Sequence, residues 1–397
     1  MNNPINVTQW TKARRRVSVL ALLPAMLLAA TCLPSLAATT PKEAAALGRS
    51  LADAFNERSV DAFMESVDVD AFTHIVLREL ELATTEREAI RRRMPGAVRR
   101  MVETGMRAVD ENQGKAKYLR SGVDGGRPYA LIRLDLGDEG VDYIKYYAAS
   151  PRAVEDWYVF TAASLYSSSV RFNLATIFKN ESALLKLFGL PSIPTRDARV
   201  FIEMRDRLAK SDYGGAFKLL DRFPKEYRSS RQWAVMRVTY GGRAGKEHYS
   251  QALRHLASRF GGDPDLQLLL IDHYFYEEQF GKALAAVAGL EQAVGGEDAS
   301  TNGLKGSLLA ALKRPAEAEA ACRRGILLEA DFKSAYWCLV SLALERNDGR
   351  LAVDALTQYE KAFDVRFDPA ELARQELYQN ISKSREFAAW ASKRARK

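Results

Sequence analysis

Ala318-Glu-Ala-Ala-Cys322-Arg-Arg-Gly325 and Ala355-Leu-Thr-Gln-Tyr359-Glu-Lys-Ala362 share one pattern: a small residue, a larger residue one turn later, and then another small residue. On a helix, residues three, four and seven positions apart lie on one face. Small residues on that face allow a second helix to approach closely. The stretch from Leu304 to Pro369 therefore predicts two successive helical hairpins.

The same alanine anchor recurs upstream. It follows an aromatic residue by three positions in Tyr213-Gly-Gly-Ala216, Tyr249-Ser-Gln-Ala252 and Phe280-Gly-Lys-Ala283. The five anchors, at 216, 252, 283, 318 and 355, are 36, 31, 35 and 37 residues apart. A period of this length is typical of a two-helix repeat.

Residues 197–397 resemble the tetratricopeptide-repeat family in this aromatic-x-x-Ala start of the second helix. The resemblance implies an all-α helical-hairpin solenoid, here over about 196–397, with about five hairpins plus C-terminal capping helices. Its first helices would line a concave face that binds a peptide segment of another protein. The alternative is that the aromatic side chains of these helices only fill the hairpin cores. The candidate partner-binding residues are Asp272, His273, Tyr276, Lys305, Ser307 and Asn347.

A different domain, of the α+β class, is predicted for residues 38–173. Helical periodicity extends to Val109, and four segments rich in Tyr, Val and Ile then predict antiparallel strands. Pro95 is expected to kink or split the last helix, 86–109, and Thr85 with Glu88 to cap it. The strands are predicted at 117–123, 127–136, 141–149 and 154–162, and 164–169 is either a fifth edge strand or a turn.

This order of elements resembles the nuclear-transport-factor-two-like (SnoaL-like) family over about residues 40–172. The resemblance lies in Phe55-Asn-Glu-Arg-Ser-Val-Asp-Ala-Phe63 and in Glu155-Asp-Trp-Tyr158, which leads to Ser164-Leu165. It implies a roll with a curved, four-stranded antiparallel sheet. The family contains isomerases, dehydratases and non-catalytic modules, so the fold alone does not define an activity.

The last helix of this domain is rich in arginine. Arginines occur at 87, 91, 92, 93, 99 and 100. We interpret them as a solvent-exposed face that pairs with Glu86, Glu88 and Glu103, and not as a phosphate site.

Residues 1–37 have the composition of an export signal. Basic residues at 12–16 precede an apolar segment at 17–36, and Ser35-Leu36-Ala37 supplies the small residues at which a signal peptidase cleaves. The alternative is an uncleaved anchor, since about 20 apolar residues span a bilayer. In both cases the rest of the chain is expected to be periplasmic or secreted, with membrane contact only through an uncleaved signal.

Cys322 and Cys338 are the two cysteines left after removal of this signal. They lie on consecutive predicted helices of adjacent repeats, and an exported protein meets an oxidising compartment. Two interpretations stay open: a disulfide, or two separate small buried side chains.

Charge and motifs exclude several classes of function. Four of the eight net positive charges lie within residues 1–37, and the remaining +4 over 360 residues is too small to predict nucleic-acid binding. The four histidines form no zinc motif, and no nucleophile elbow or phosphate loop occurs. We therefore expect no metal, no cofactor and no enzymatic activity.

The function predicted from the sequence is that of an exported adaptor. It would bind another protein, or a peptide segment, of the cell envelope through the concave face of the repeats. The alternative is a small-ligand-binding protein or enzyme whose pocket lies in residues 38–173, with the repeats as a docking arm. The apolar residues 174–195 are predicted to form a helical joint between the two domains.

Overall fold

A computed structural model describes residues 39–137, 140–177, 198–223 and 225–395. The predicted export signal and most of the predicted joint lie outside these residues. The described chain forms two compact units, one ending at His273 and the other beginning at Tyr274. The domain boundary near 173–196 that the sequence suggests stays a prediction.

Four helices open the first unit, and side-chain caps define where most of them begin. Thr40 accepts a hydrogen bond from the backbone N–H of Glu43, while the Glu43 carboxylate accepts from that of Thr40 (2.7 Å). Ser59 and Asp68 cap the next two helices. The helices are α1 (Pro41–Asn56), α2 (Val60–Glu65), α3 (Val69–Leu77) and α4 (Thr84–Glu111).

Helix α4 is continuous over 28 residues, so Pro95 does not split it, and the alternative that it kinks the helix stays a prediction. Proline lacks the N–H that would bond to the preceding turn. However, Ile90 and Val98, on either side of Pro95, are buried on the same stripe of the helix. Burial of this apolar stripe against the rest of the domain outweighs the missing hydrogen bond.

The start of α4 also differs from the prediction. The expected capping box of Thr85 with Glu88 is wrong, because the Glu86 carboxylate accepts from the backbone N–H of Ala83 at 2.8 Å. The helix therefore begins two residues earlier, and Glu86 is engaged at its N-terminus.

A five-stranded antiparallel sheet follows, one strand more than predicted. The four longer strands begin and end within three residues of their predicted positions. The fifth is the edge strand left open by the sequence, with Ser164 paired to Val159. Gly125 and Gly126 have positive φ (57° and 80°) and close the first hairpin. In pairing order, the strands are β1 (Lys115–Asp124), β2 (Arg127–Asp135), β3 (Val141–Ser150), β4 (Ala153–Val159) and β5 (Ser164–Leu165).

The central strand β2 is covered on both faces. Residues 130–134 are each no more than 1% exposed, and Arg133 is among them. Because successive side chains of a strand point to opposite sides of the sheet, both sides must be packed.

Helices complete the first unit. The anchors Ala216 and Ala252 are fully buried on two helices that both pack against the helix Arg231–Ala244. The helices are α5 (Tyr166–Ile177), α6 (Ala198–Ala209), α7 (Tyr213–Leu220), α8 (Lys225–Arg228), α9 (Arg231–Ala244), α10 (Lys246–Phe260) and α11 (Gln267–Tyr276), whose last residues enter the second unit.

Arg231, at the start of α9, joins these helices to the sheet. Its guanidinium donates to the carbonyl of Ala163 (3.2 Å), which directly precedes β5, and to the carboxylate of Asp263 (2.5 Å). Burial disfavours the charge of Arg231, but Tyr158 and Asp263 beside it raise its pKa. The α+β domain and the first repeat helices therefore share a charged contact.

The second unit is helical. Of the five helices between Phe280 and Phe363, each packs against the next, and the anchors Ala283, Ala318 and Ala355 are fully buried. This succession of packed helices confirms the helical C-terminal region. The helices are α12 (Phe280–Ala293), α13 (Ala299–Ala311), α14 (Pro315–Leu328), α15 (Lys333–Arg346), α16 (Gly349–Phe363), α17 (Pro369–Arg374) and α18 (Arg385–Ala395).

The last helices cover the end of this array. The spacing of Leu372, Leu377 and Ile381 predicts that all three point inward. Leu372 and Ile381 are buried, but Leu377 is 43% exposed, so that part of the prediction is wrong. Its neighbour Tyr378 is fully buried and takes the inward position in the 3₁₀ turn. Helix α18 packs against α16. Within the described residues, no helix is both long and apolar enough to cross a bilayer.

Candidate functional site

Asp272 and His273, two of the predicted partner-binding residues, lie on α11 and are buried. The hydroxyl of Tyr249 on α10 donates to the Asp272 carboxylate at 3.4 Å. Tyr276 ends the same helix and is partly buried. Asp272 thus has a partner within the first unit.

Lys305 and Ser307 lie on α13, where both make contacts within the second unit. The Lys305 ammonium is 2.6 Å from the Glu291 carboxylate on α12. The Ser307 hydroxyl donates to the carbonyl of Gly303, one turn earlier, at 3.2 Å. Both side chains remain partly exposed.

Asn347 has a conformational role. It follows α15 with φ of 54°, in the left-handed region that asparagine tolerates better than most residues, and so ends the helix. It is exposed. That these predicted residues contact a partner stays a prediction.

Cys322 on α14 and Cys338 on α15 form a disulfide, with Cα atoms 5.7 Å apart. Gly306 on α13 lies directly against it. A Cβ atom at Gly306 would be 2.4 Å from the Cys338 sulfur and 2.5 Å from the Cys322 sulfur. Three helices therefore meet at one covalent contact that has no space for another methyl group.

Aromatic side chains fill the space between the sheet and the helices of the α+β domain. The Trp157 ring stacks on Tyr166 (4.8 Å between ring centroids) and on Phe72 (5.2 Å). Tyr146 continues the cluster toward Phe63 (5.9 Å). These rings therefore form part of the core of the α+β domain.

Asp156 is a fully buried carboxylate beside this aromatic cluster. It accepts from the hydroxyl of Ser167 (2.6 Å) and from the backbone N–H groups of Ser167 and Trp157. Burial raises its pKa, while the bonds from Ser167 act in the opposite direction. With both oxygens engaged, Asp156 fixes the start of α5 to β4.

Asp142 makes the same kind of contact on β3. One oxygen accepts from the N–H groups of Tyr143 and Thr161, and the other from the Thr161 hydroxyl at 2.6 Å. Both buried carboxylates thus stabilise chain segments. Sequence reasoning missed them because nothing local in the sequence marks an aspartate as buried. Among the described residues, no group of three His, Cys, Asp or Glu side chains is placed to hold a metal ion.

Comparison with known proteins gives little. No protein-family model matches the chain. No curated protein matches it either. A solved structure, described as PilW, a widely conserved type IV pilus biogenesis factor, aligns with 13% sequence identity and a TM-score of 0.33 over 51% of this chain and 93% of that chain. A similarity this weak decides neither fold nor function.

Proposed function

We propose that this chain is an exported adaptor that binds another envelope protein through a tetratricopeptide-like array and catalyses no reaction. The observation that carries the proposal is the burial of the five periodic alanines. Ala216, Ala252, Ala283, Ala318 and Ala355 are each 0% exposed. Because every anchor is buried in a helix contact, the same type of hairpin recurs along the array, and its outer surface recurs with it. Repeated surfaces of this kind bind extended partners.

The export part of the proposal rests on residues 1–37 of the sequence. A basic segment, an apolar segment and a small-residue cleavage site occur in the order that a signal peptidase requires. We therefore expect the mature chain to begin at Ala38 and to act in the periplasm or outside the cell. N-terminal sequencing of the protein purified from an envelope fraction tests this.

Affinity capture from an envelope extract tests partner binding, with the chain from residue 38 onward as bait. We expect a reproducible partner that Lys305→Ala weakens, because Lys305 is partly exposed on the predicted recognition helix. Arg152→Ala, in an exposed turn of the sheet, is the control and should retain the partner. Capture of nothing would overturn the adaptor function, whereas equal capture by both variants would overturn only the assignment of Lys305.

A further inference from the structure

The outward face of α4 carries an excess of positive charge that the α+β domain does not neutralise. Between residues 91 and 107 the helix has six arginines and a single acidic residue, Glu103. Arg99 pairs with Asp61 (2.7 Å) and with Glu103 (3.3 Å). Among the described residues, no ion pair or side-chain hydrogen bond engages the other five, which are all exposed: Arg91, Arg92, Arg93, Arg100 and Arg107.

This finding corrects the interpretation of the helix as a face neutralised by its own glutamates. Of the three predicted partners, Glu86 caps the helix start instead, and Glu88 contacts no arginine in the described structure. Glu103 alone pairs as predicted, with Arg99.

Three of the five arginines form a straight row. Arg93, Arg100 and Arg107 are seven residues apart, which is close to two turns, so they lie on one face at steps of about 10 Å. The opposite face, with Val98 and Val102, is buried in the domain and holds the row in place. This spacing is close to one Debye length, so neighbouring arginines of the row still repel each other. An anionic partner would relieve this repulsion.

The surroundings of the row favour a narrow partner over a broad one. The exposed carboxylates of Asp61 and Asp110 pair with Arg99 and Arg58, so these two arginines add no net positive charge that would widen the row. The large apolar side chains that are exposed in the described residues lie on other elements, so α4 offers nothing to insert into lipid. Gly96 lies on the same face, next to the Arg100 guanidinium, and adds no side chain to the middle of the row.

We propose that the outward face of α4 binds an acidic helical segment of a partner protein, with carboxylates at seven-residue spacing on Arg93, Arg100 and Arg107. The guanidinium group suits this role, because its planar fork binds a carboxylate through two parallel hydrogen bonds. The proposal gives the α+β domain a binding surface of its own and does not depend on partner binding by the repeats.

The test uses fluorescence anisotropy with the chain from residue 38 onward and two labelled alanine-rich helical peptides of identical composition. One carries glutamates at every seventh position, and the other carries the same glutamates in one cluster. We expect tighter binding of the spaced peptide, and weaker binding as salt is added. The triple variant Arg93→Gln, Arg100→Gln, Arg107→Gln should bind it about tenfold more weakly, as loss of three exposed ion pairs predicts.

A control variant that loses the same amount of charge distinguishes binding at the arginine row from general electrostatic attraction. Arg350, Arg366 and Arg385 are also exposed, and their replacement by Gln removes the same charge from the second unit. This control should change binding by less than about twofold, since screened charges at a distance contribute little. Equal loss in both triple variants, no preference for the spaced peptide, or binding of phosphatidylglycerol vesicles in place of the peptide would each overturn the proposal.

Discussion

Gly306 shows how one residue can restrict a whole helix contact. Alanine normally stabilises a helix relative to glycine. Here its Cβ would meet both disulfide sulfurs at 2.4 and 2.5 Å. Because a disulfide has no flexible end that could move away, we expect Gly306→Ala to lower the free energy of unfolding by about 1–3 kcal/mol, as in other overpacked cores. Urea denaturation of the oxidised protein measures this.

The control is the same substitution in a Cys322→Ala, Cys338→Ala background. Removal of the disulfide costs about 3 kcal/mol by itself on the chain-entropy estimate. Without the sulfurs, Gly306→Ala should be neutral or stabilising by up to about 1 kcal/mol. The same destabilisation in both backgrounds, or two freely alkylated thiols in the native protein, would contradict the disulfide contact.

Asp156 gives a pH dependence whose sign follows from burial. Its folded-state pKa is raised above the ordinary 3.8, mainly by burial. As pH rises through 3.8 toward the raised pKa, the unfolded chain loses this proton first, so the free energy of unfolding falls. Asp156→Asn cannot ionise, and its stability should therefore not show this part of the decline. Denaturation of both proteins at several pH values measures this. A difference in their free energies of unfolding that stayed constant with pH would contradict the prediction.

At the scale of the elements, the sequence predicts what depends on local pattern. Alternation around Ile132 and the glycine turns locate the four long strands, and alanine spacing locates the repeat helices. The two-residue strand at Ser164 is too short to produce a pattern of its own, and only its pairing with Val159 defines it. The continuity of α4 across Pro95 likewise depends on burial of a stripe, which is a tertiary effect.

A substitution in helix α4 tests how burial of the apolar stripe compares with the hydrogen bond that Pro95 cannot make. Pro95 is exposed in the helix interior, where proline costs up to about 3 kcal/mol relative to alanine. We expect Pro95→Ala to raise the free energy of unfolding by about 1–3 kcal/mol, because it restores a backbone donor without disturbing the core. Thermal denaturation measures the gain.

Ala97→Gly, in the same exposed turn, is the matched control for Pro95→Ala. It should cost about 1 kcal/mol, the ordinary difference between the two residues in a helix. A loss of stability in Pro95→Ala would mean that the rigid proline ring stabilises the protein mainly by restricting the unfolded chain.

At the scale of the molecule, contacts between distant parts of the chain are what the sequence could not predict. Arg231 and Ala163 are 68 residues apart, and neither belongs to a recognisable motif. The row on α4 could be found in the sequence as charged residues, but not as charges without partners. The same limit applies to the predicted recognition residues. The sequence pattern places Lys305 on its helix but does not show that it contacts Glu291.

The contact at Arg231 predicts that the sheet and the first repeat helices unfold together. The Arg231 and Asp263 side chains are only 20% and 22% exposed, so Arg231→Met would leave a largely buried carboxylate without its main partner. We expect a loss of about 1–3 kcal/mol, given the partial exposure. Hydrogen exchange should become faster in β4 as well as in α9, because both would open in the same cooperative unit. Arg228→Met, an exposed arginine on α8, should leave exchange in both elements unchanged. Faster exchange in α9 alone would mean that the α+β domain and the helices are stable independently of each other.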